Sequence, residues 1–153
     1  MFFSLLLASG TVGLVACQRS EERASDERAP TERGVTPALR SEGARLSRAI
    51  DQLRAADNDR KAAHLERLAA EDCEELCALK EVCGGAYREH VAALDAIRAA
   101  RSLGAALPAE PTVEEQGRVA AQLEEAQRRL EAARRMSGDC LDEQGAVKLR
   151  LQL

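Results

Sequence analysis

The sequence has almost no aromatic residues: Trp is absent, Tyr occurs once, as Tyr87, and both Phe residues, Phe2 and Phe3, lie at the N-terminus. The chain therefore lacks the stacking platforms that bind nucleic acids, and its formal net charge of −4 excludes a strongly basic surface. His64 and His90 are the only histidines, and neither belongs to a nucleophile motif. These absences predict a protein that is not an enzyme and has no nucleic-acid partner.

The segment that precedes the first charged side chain, Arg19, is apolar or small and reads MFFSLLLASGTVGLVAC. A helix needs about 20 apolar residues to cross a bilayer, so this shorter run is typical of a signal-peptide core. It ends at Leu14, Val15, Ala16 and Cys17, where polar sequence begins. A large aliphatic residue and two smaller ones before a cysteine resemble the lipobox of bacterial lipoproteins.

The lipobox resemblance implies a processing route for the N-terminus. Residues 1–16 would be removed as a signal peptide, by cleavage between Ala16 and Cys17, and the Cys17 thiol would carry diacylglycerol. Two or three acyl chains, at about 0.8 kcal/mol per buried methylene, give stable membrane anchoring. By analogy, Gln18 favours the outer over the inner membrane, since Asp at that position would suggest inner-membrane retention. The alternative is a buried N-terminal helix in which Cys17 is a free thiol.

The rest of the chain is poor in large aliphatic residues. Removal of residues 1–16 leaves 137 residues, of which Leu, Ile, Val and Phe make up 24. That fraction is below the roughly one fifth at which sequences lean towards disorder. However, 22 basic and 26 acidic residues nearly cancel, whereas disorder usually combines low hydrophobicity with high net charge. Alanine favours closely packed helices, and a thin core outside the cytosol is where disulfides are most useful.

The mature chain divides into three predicted segments. Residues 17–37 mix both charges with Pro, Gly and Ser and contain one large aliphatic residue, Val35, so they are predicted to be the lipidated cysteine and a disordered tether. Residues 38–138 are predicted to form an all-α domain, a small bundle of three to four helices pinned by disulfides. Residues 139–153 are predicted to be a C-terminal tail, because AVKLRLQL alternates with period two like a strand and has no evident partner strand.

Apolar residues at helical spacing define the predicted helices. Four seams are present: Leu39, Leu46, Ile50 and Leu53; Leu65, Leu68, Leu76 and Leu79; Tyr87, Val91, Leu94 and Ile97; and Val119, Leu123, Ala126, Leu130 and Ala133. The second helix is predicted to end near Gly84-Gly85 and the fourth at Gly138, since glycine is favoured just past a helix end. Thr112 and Glu115 have the form of a capping box that opens the fourth helix.

Four cysteines remain once the lipidated cysteine is set aside, and cysteines outside the cytosol are normally paired. Four cysteines allow three connectivities. If Cys73 and Cys77 are neighbours on one helical face, their side chains run parallel about 6 Å apart, which suits a disulfide poorly. Unwinding of the last turn before the glycine pair would let Cys77 reach Cys83. The predicted disulfides are therefore Cys77 with Cys83 and Cys73 with Cys140.

The same cysteines support an alternative function, an envelope sensor of thiol redox state or of zinc that uses Cys73, Cys77, Cys83 and Cys140. His90 could replace Cys140 as the fourth zinc ligand. A spacing of three and then five residues matches no common zinc module, so neither a metal nor a cofactor is predicted.

The body of the chain is similar to the small, Ala/Arg-rich, cysteine-containing helical lipoproteins of GC-rich Gram-negative bacteria, a resemblance that implies no activity. The sequence thus predicts a lipid-anchored cell-envelope protein that acts as a non-enzymatic binding or structural module. Its expected partners are the membrane, through the acyl chains on Cys17, and another envelope component such as a protein, bound through an exposed helical face.

Overall fold

The computed structural model describes residues 34–153, and every regular element in that range is an α-helix. In chain order the helices are α1 (Pro37–Ala55), α2 (Lys61–Ala70), α3 (Cys77–Ala105) and α4 (Val113–Leu151). The prediction of an all-α bundle of three to four helices pinned by disulfides is confirmed, with four helices. The predicted signal peptide, Cys17 and most of the predicted tether lie in residues 1–33, outside the described residues.

Helix α1 packs as its sequence predicts, but it begins at Pro37, one residue before the predicted boundary between tether and helical domain. Thr36 is the N-cap, and its hydroxyl accepts a hydrogen bond from the N–H of Leu39 at 3.0 Å. Pro37 occupies the first helical position, where its missing N–H has no consequence. The apolar seam is buried in full: Leu39, Leu46, Ile50 and Leu53. Local spacing therefore identifies the face of α1 that contributes to the core.

The single helix predicted around Leu65 to Leu79 is in fact two helices, so that prediction was wrong. Helix α2 ends at Ala70, and α3 begins only at Cys77. Residues 71–76 are not helical, and the N–H groups of the last three, Glu74, Glu75 and Leu76, donate hydrogen bonds to an acceptor on another helix.

The glycine pair of α3 does not end a helix, as the sequence had predicted, but lies inside one. A Cβ atom at Gly85 would lie 2.7 Å from Cε of Met136 on α4, and Gly84 is also buried. Glycine at this point lets α3 and α4 approach closely.

Helix α4 begins at the predicted capping box. The Thr112 hydroxyl accepts a hydrogen bond from the N–H of Glu115 at 3.2 Å, and the Glu115 carboxylate accepts one from the N–H of Thr112 at 2.8 Å. The helix does not end at Gly138 but continues to Leu151. No heavy atom other than its own helix surrounds the Cβ position of Gly138, so this glycine lies on an open face of an uninterrupted helix.

The predicted C-terminal tail, residues 139–153, is the last part of α4, so the boundary after residue 138 was wrong. Gln144, Val147 and Leu151 follow each other at steps of three and four residues and are buried, whereas Leu149 is 83% exposed. Val147 and Leu151 belong to the alternating segment, but they are also four residues apart and therefore share one face of a helix. These side chains complete the core, so tertiary packing makes this segment helical although its sequence alternates like a strand.

The bundle is built around the antiparallel pair of α3 and α4, whose contact is the most extensive in the fold. At about 1.5 Å per residue, the 29 residues of α3 span about 43 Å and the 39 residues of α4 about 58 Å. Helices α1 and α2 pack against one end of this pair, where the hydrophobic core lies. Within residues 34–153, no helix is both long enough and apolar enough to cross a membrane.

Beyond the core, α3 and α4 project as a hairpin of two helices. The α1–α2 connection reaches α3 at His90, whose Nε2 lies 3.5 Å from Oδ1 of Asn58. From His90, α3 continues to Ala105, about 22 Å further. We call residues 91–128 the projecting hairpin. Its helices meet through buried alanines: Ala93, Ala96, Ala100 and Ala126.

The described chain begins at the core end of the molecule. Arg40, near the start of α1, donates a hydrogen bond from Nε to the carbonyl oxygen of Leu151, at the end of α4, at 3.1 Å. Gly34 therefore lies near the end of α4, and the connection at residues 106–112 is at the opposite end of the α3–α4 pair.

Candidate functional site

All four cysteines of the described region are joined in disulfides. Cys83 is bonded to Cys140, with a Cα–Cα distance of 4.7 Å, and Cys73 is bonded to Cys77, with a Cα–Cα distance of 5.2 Å. The predicted pairs, Cys77 with Cys83 and Cys73 with Cys140, were wrong.

The error follows from the helix boundaries. Cys77 and Cys83 lie on the same uninterrupted helix, so about 9 Å of helical rise separates them, more than a disulfide can span. Cys73 lies in residues 71–76, outside any helix, and only Cys77 is helical. The argument from parallel side chains on one helix therefore does not apply to Cys73 and Cys77.

The two disulfides have different surroundings. Cys83 and Cys140 are 0% and 2% exposed, and their bond joins α3 to α4 within the core. Cys73 and Cys77 are half-buried, and their bond closes the short segment that precedes α3. Cys73 also lines a cavity of about 200 Å³ between this segment and α1.

Glu42 on α1 holds the segment between α2 and α3. Its carboxylate accepts hydrogen bonds from the N–H groups of Glu74 at 2.8 Å, Glu75 at 3.3 Å and Leu76 at 3.0 Å. Burial alone would raise the pKa of the Glu42 carboxyl, but the three amide donors, helped by Arg45, hold this pKa below its ordinary value. Sequence reasoning missed this contact, because nothing in the local pattern links Glu42 to residues more than thirty positions away.

Lys61 forms the complementary contact at the end of α1. Its Nζ donates to the carbonyl oxygens of Leu53 and Arg54, each at 3.2 Å, and of Ala56 at 2.8 Å. It also lies 5.8 Å from the centroid of the Tyr87 ring. Burial lowers the pKa of the Lys61 ammonium, and Asp57 partly opposes this. Lys61 was likewise missed, since a basic residue at the start of a helix is usually interpreted as solvated.

The two histidines are not brought together. His64 lines an open depression of about 430 Å³ that Glu71 and Asp72 also line. Within residues 34–153 the His64 ring has no hydrogen bond, and the Glu71 carboxylate lies 3.7 Å from Nε of Arg45.

His90 instead lies beside Asn58, close to the α1–α2 connection. Burial, with a smaller contribution from Lys61, lowers the pKa of the His90 imidazole. This histidine stands apart from the depression that contains His64.

An apolar groove runs along the projecting hairpin and continues towards the core at Leu130 and Arg134 of α4. Its sides are Leu94 and Ile97 on α3 and Leu123 and Leu130 on α4, and Ala126 is at its base. The groove consists of two shallow depressions, of about 280 and 300 Å³, that share Ile97. The first lies between α3 and α4, and the second lies between α3 and residues Asn58 and Asp59 of the α1–α2 connection. Leu123 is 52% exposed, although the sequence placed it in the packing seam of the fourth helix. The described chain thus presents an uncovered apolar stripe.

The charged residues beside this groove are Asp59 in the α1–α2 connection, Arg98 and Arg101 on α3, and Glu131 and Arg134 on α4. Arg98 is paired with Asp95 at 2.6 Å. Neither Arg101 nor Arg134 has an ion-pair partner within residues 34–153.

Comparisons with protein families, with curated proteins and with solved structures found no match for this chain. Among residues 34–153, no three or more His, Cys, Asp or Glu side chains are grouped so that they could hold a metal ion.

Proposed function

We propose that this protein is a lipid-anchored, non-enzymatic binding module of the bacterial cell envelope, and that its projecting hairpin docks an amphipathic helix of another envelope protein. The observation that carries the proposal is the uncovered apolar groove between Ile97 on α3 and Leu123 on α4.

The shape of the groove suits a helix. Small residues at the base, such as Ala126, let an incoming backbone approach closely, and the leucine and isoleucine side chains supply anchoring contacts at helical spacing. At the core end of the α3–α4 pair, α1 and α2 already pack on this pair as covering helices. A partner helix on the hairpin would extend the same packing.

The charges beside the groove favour a partner helix with acidic flanks. Arg101 lines the depression beside the α1–α2 connection and Arg134 lines the depression between α3 and α4, and neither has an ion-pair partner in the described chain. Carboxylates on either side of an apolar stripe would complement both guanidinium groups and fix the orientation of the helix.

The lipobox, Leu14 to Cys17, supports the proposed anchor at Cys17, and Gln18 favours the outer membrane over the inner membrane. The tether would join the domain at Gly34, at the core end, and the docking groove lies further along the α3–α4 pair, between the core and the connection at residues 106–112.

The alternative function is an envelope sensor of thiol redox state or of zinc. Zinc binding by Cys73, Cys77, Cys83 and Cys140 requires thiolates, so both disulfides would first have to be reduced. Metal analysis of the purified protein distinguishes this alternative from the binding module.

The docking proposal is tested with a photo-crosslinking residue at Leu123, in intact Gram-negative cells that express the full chain. We expect one envelope protein to be captured through a helical segment. A synthetic peptide of that segment should bind the purified full-length protein, and Ile97→Glu should weaken the binding by about tenfold or more, because a carboxylate would enter the apolar groove.

Leu149→Glu is the matched control, because Leu149 is an exposed leucine on α4 outside the groove, and it should leave binding unchanged. Equal loss in both variants would contradict the proposed site. Crosslinks only to a second copy of the chain, or only to lipid, would overturn the proposed partner.

The anchor is tested separately by the intact mass of the protein extracted from membranes. A mass that begins at Cys17 and includes acyl chains is expected. An unmodified chain would remove the anchor and leave the groove proposal intact.

A further inference from the structure

The disulfide between Cys73 and Cys77 is accessible, whereas the one between Cys83 and Cys140 is not. Both cysteines of the first pair are half-buried: Cys73 lies in the non-helical segment before α3, and Cys77 is the first residue of α3. Cys73 also lines a cavity of about 200 Å³. The second pair is fully enclosed in the core. Exchange with an external thiol requires in-line approach to a sulfur atom, so the surroundings separate one exchangeable bond from one protected bond.

We propose that Cys73–Cys77 is a thiol–disulfide exchange site whose reductant is a cationic or uncharged thiol. Cys83–Cys140 takes no part in the exchange and keeps α3 and α4 joined. This inference does not depend on the hairpin groove or on its partner.

The exchange proceeds in two balanced steps. The thiolate of one external thiol attacks Sγ of Cys73 from the cavity, the Sγ–Sγ bond breaks, and its electron pair remains on Sγ of Cys77. A second external thiolate then attacks the external sulfur of the mixed disulfide and releases Cys73. Two external thiols become one disulfide, and their two protons end on Cys73 and Cys77.

Cys77 is the better leaving group of the pair. It is the first residue of α3, where the free N–H groups and the positive end of the helix dipole stabilise a thiolate. Cys73 lies outside the helix; it lines the cavity and also packs against the edge of the core. The geometry therefore assigns attack to Cys73 and departure to Cys77.

The charge around the site selects the reductant. Acidic side chains surround the disulfide in sequence: Glu71, Asp72, Glu74, Glu75 and Glu81. Two basic residues are nearby: Arg45, whose Nε lies 3.7 Å from the Glu71 carboxylate, and Lys80, whose Nζ donates to the carbonyl oxygens of Ala69 and Glu71. The five carboxylates outnumber these two cations. Carboxylates near the disulfide repel an anionic thiol reagent and attract a cationic one, and this effect on the reduction rate decreases as the salt concentration rises.

Reduction should leave the fold in place. Glu42 holds the N–H groups of Glu74, Glu75 and Leu76 independently of the disulfide, and the Cys83–Cys140 bond remains. The segment before α3 thus has a second attachment, which the oxidised and the reduced forms share.

The test uses the full-length protein in detergent and three thiols: cysteamine (cationic), 2-mercaptoethanol (neutral) and 2-mercaptoethanesulfonate (anionic). For each thiol, the rate at which it reduces the protein is divided by the rate at which the same thiol reduces a small uncharged disulfide. This ratio removes differences in intrinsic reactivity between the three thiols. Thiols are then alkylated and mapped; one tryptic peptide, residues 68–80, contains both Cys73 and Cys77. We expect labelling of this peptide while Cys83 and Cys140 stay unlabelled, with an unchanged far-ultraviolet circular dichroism spectrum.

The normalised rate should be about tenfold higher for cysteamine than for the sulfonate at low ionic strength. The double variant Glu74→Gln/Glu75→Gln should reduce this ratio, and the control Glu110→Gln/Glu124→Gln, with the same charge change at distant exposed positions, should not. Labelling of Cys83 and Cys140 at the same rate would overturn the site, and an unchanged ratio in the Glu74/Glu75 variant would overturn the proposed selectivity.

Discussion

Two buried charged side chains each stabilise the end of a helix to which they do not belong. Glu42, from α1, accepts the N–H groups that precede α3, and Lys61, from α2, donates to the carbonyl oxygens that end α1. Each sign matches the helix dipole, since anions stabilise N-termini and cations stabilise C-termini. Hydrogen bonding and the dipole therefore explain why both charges are tolerated inside a thin core.

The Glu42→Gln variant should lower the free energy of unfolding at pH 7 by about 1.5–3 kcal/mol, because hydrogen bonds to a charged acceptor are lost. The pKa of Glu42 is lower in the folded than in the unfolded protein, where it is near its ordinary value of 4.5. The stabilisation that the ionised Glu42 carboxylate contributes is therefore fully present above about pH 4.5, and it is lost as the pH falls through the pKa of Glu42 in the folded protein. Urea unfolding at a series of pH values measures it.

Glu66→Gln on α2 is the matched control, because the Glu66 side chain is exposed. Its effect should stay within about 0.5 kcal/mol at every pH. A difference between Glu42→Gln and the wild-type protein that persists unchanged at the lowest pH would show that the carboxylate charge is not responsible.

The helices show which sequence signals are local enough to be decisive. Thr112 and Glu115 form the predicted capping box because both partners lie within one turn of the chain. The glycines were misinterpreted at Gly85 and Gly138, since glycine is favoured both after a helix end and where a neighbouring helix comes close. Only the position of Met136 against Gly85 distinguishes the two roles, and that is tertiary information.

The same limit applies to the cysteines and to the hairpin groove. Burial of Leu46 follows from spacing within α1, but the pairing of Cys83 with Cys140 depends on how α3 and α4 are aligned. The exposure of Leu123 depends on where α1 and α2 stop covering the α3–α4 pair. Neither relation has a local signature.

Two glycine substitutions should have opposite effects on stability. Gly138→Ala should raise the free energy of unfolding by about 1 kcal/mol, because its surroundings are open and alanine favours the helix. Gly43→Ala should lower it by about 1–3 kcal/mol, because the new methyl group would overlap the buried Leu151 side chain. Urea unfolding measures both, and an equal gain in the two variants would contradict the close packing of α1 against the end of α4.

For the whole molecule, the disulfides contribute according to the length of chain that each closes. Cys83 and Cys140 are 57 residues apart, whereas Cys73 and Cys77 are four apart. In the chain-entropy model, removal of the Cys83–Cys140 disulfide destabilises the protein by about 4 kcal/mol, and removal of the Cys73–Cys77 disulfide destabilises it by about 2 kcal/mol. Urea unfolding of the Cys83→Ala/Cys140→Ala and Cys73→Ala/Cys77→Ala variants tests the order, and a larger loss in the second variant would contradict it.

The position of the Cys83–Cys140 bond also affects the projecting hairpin. The covalent link lies within the core, and beyond His90 the buried contacts between the two helices are made by small alanine side chains. The chain itself joins α3 to α4 again at residues 106–112, so this stretch of the pair is covalently closed at both ends. The groove between Ile97 and Leu123 should therefore keep a nearly constant width, and a partner helix would bind without first ordering the two helices.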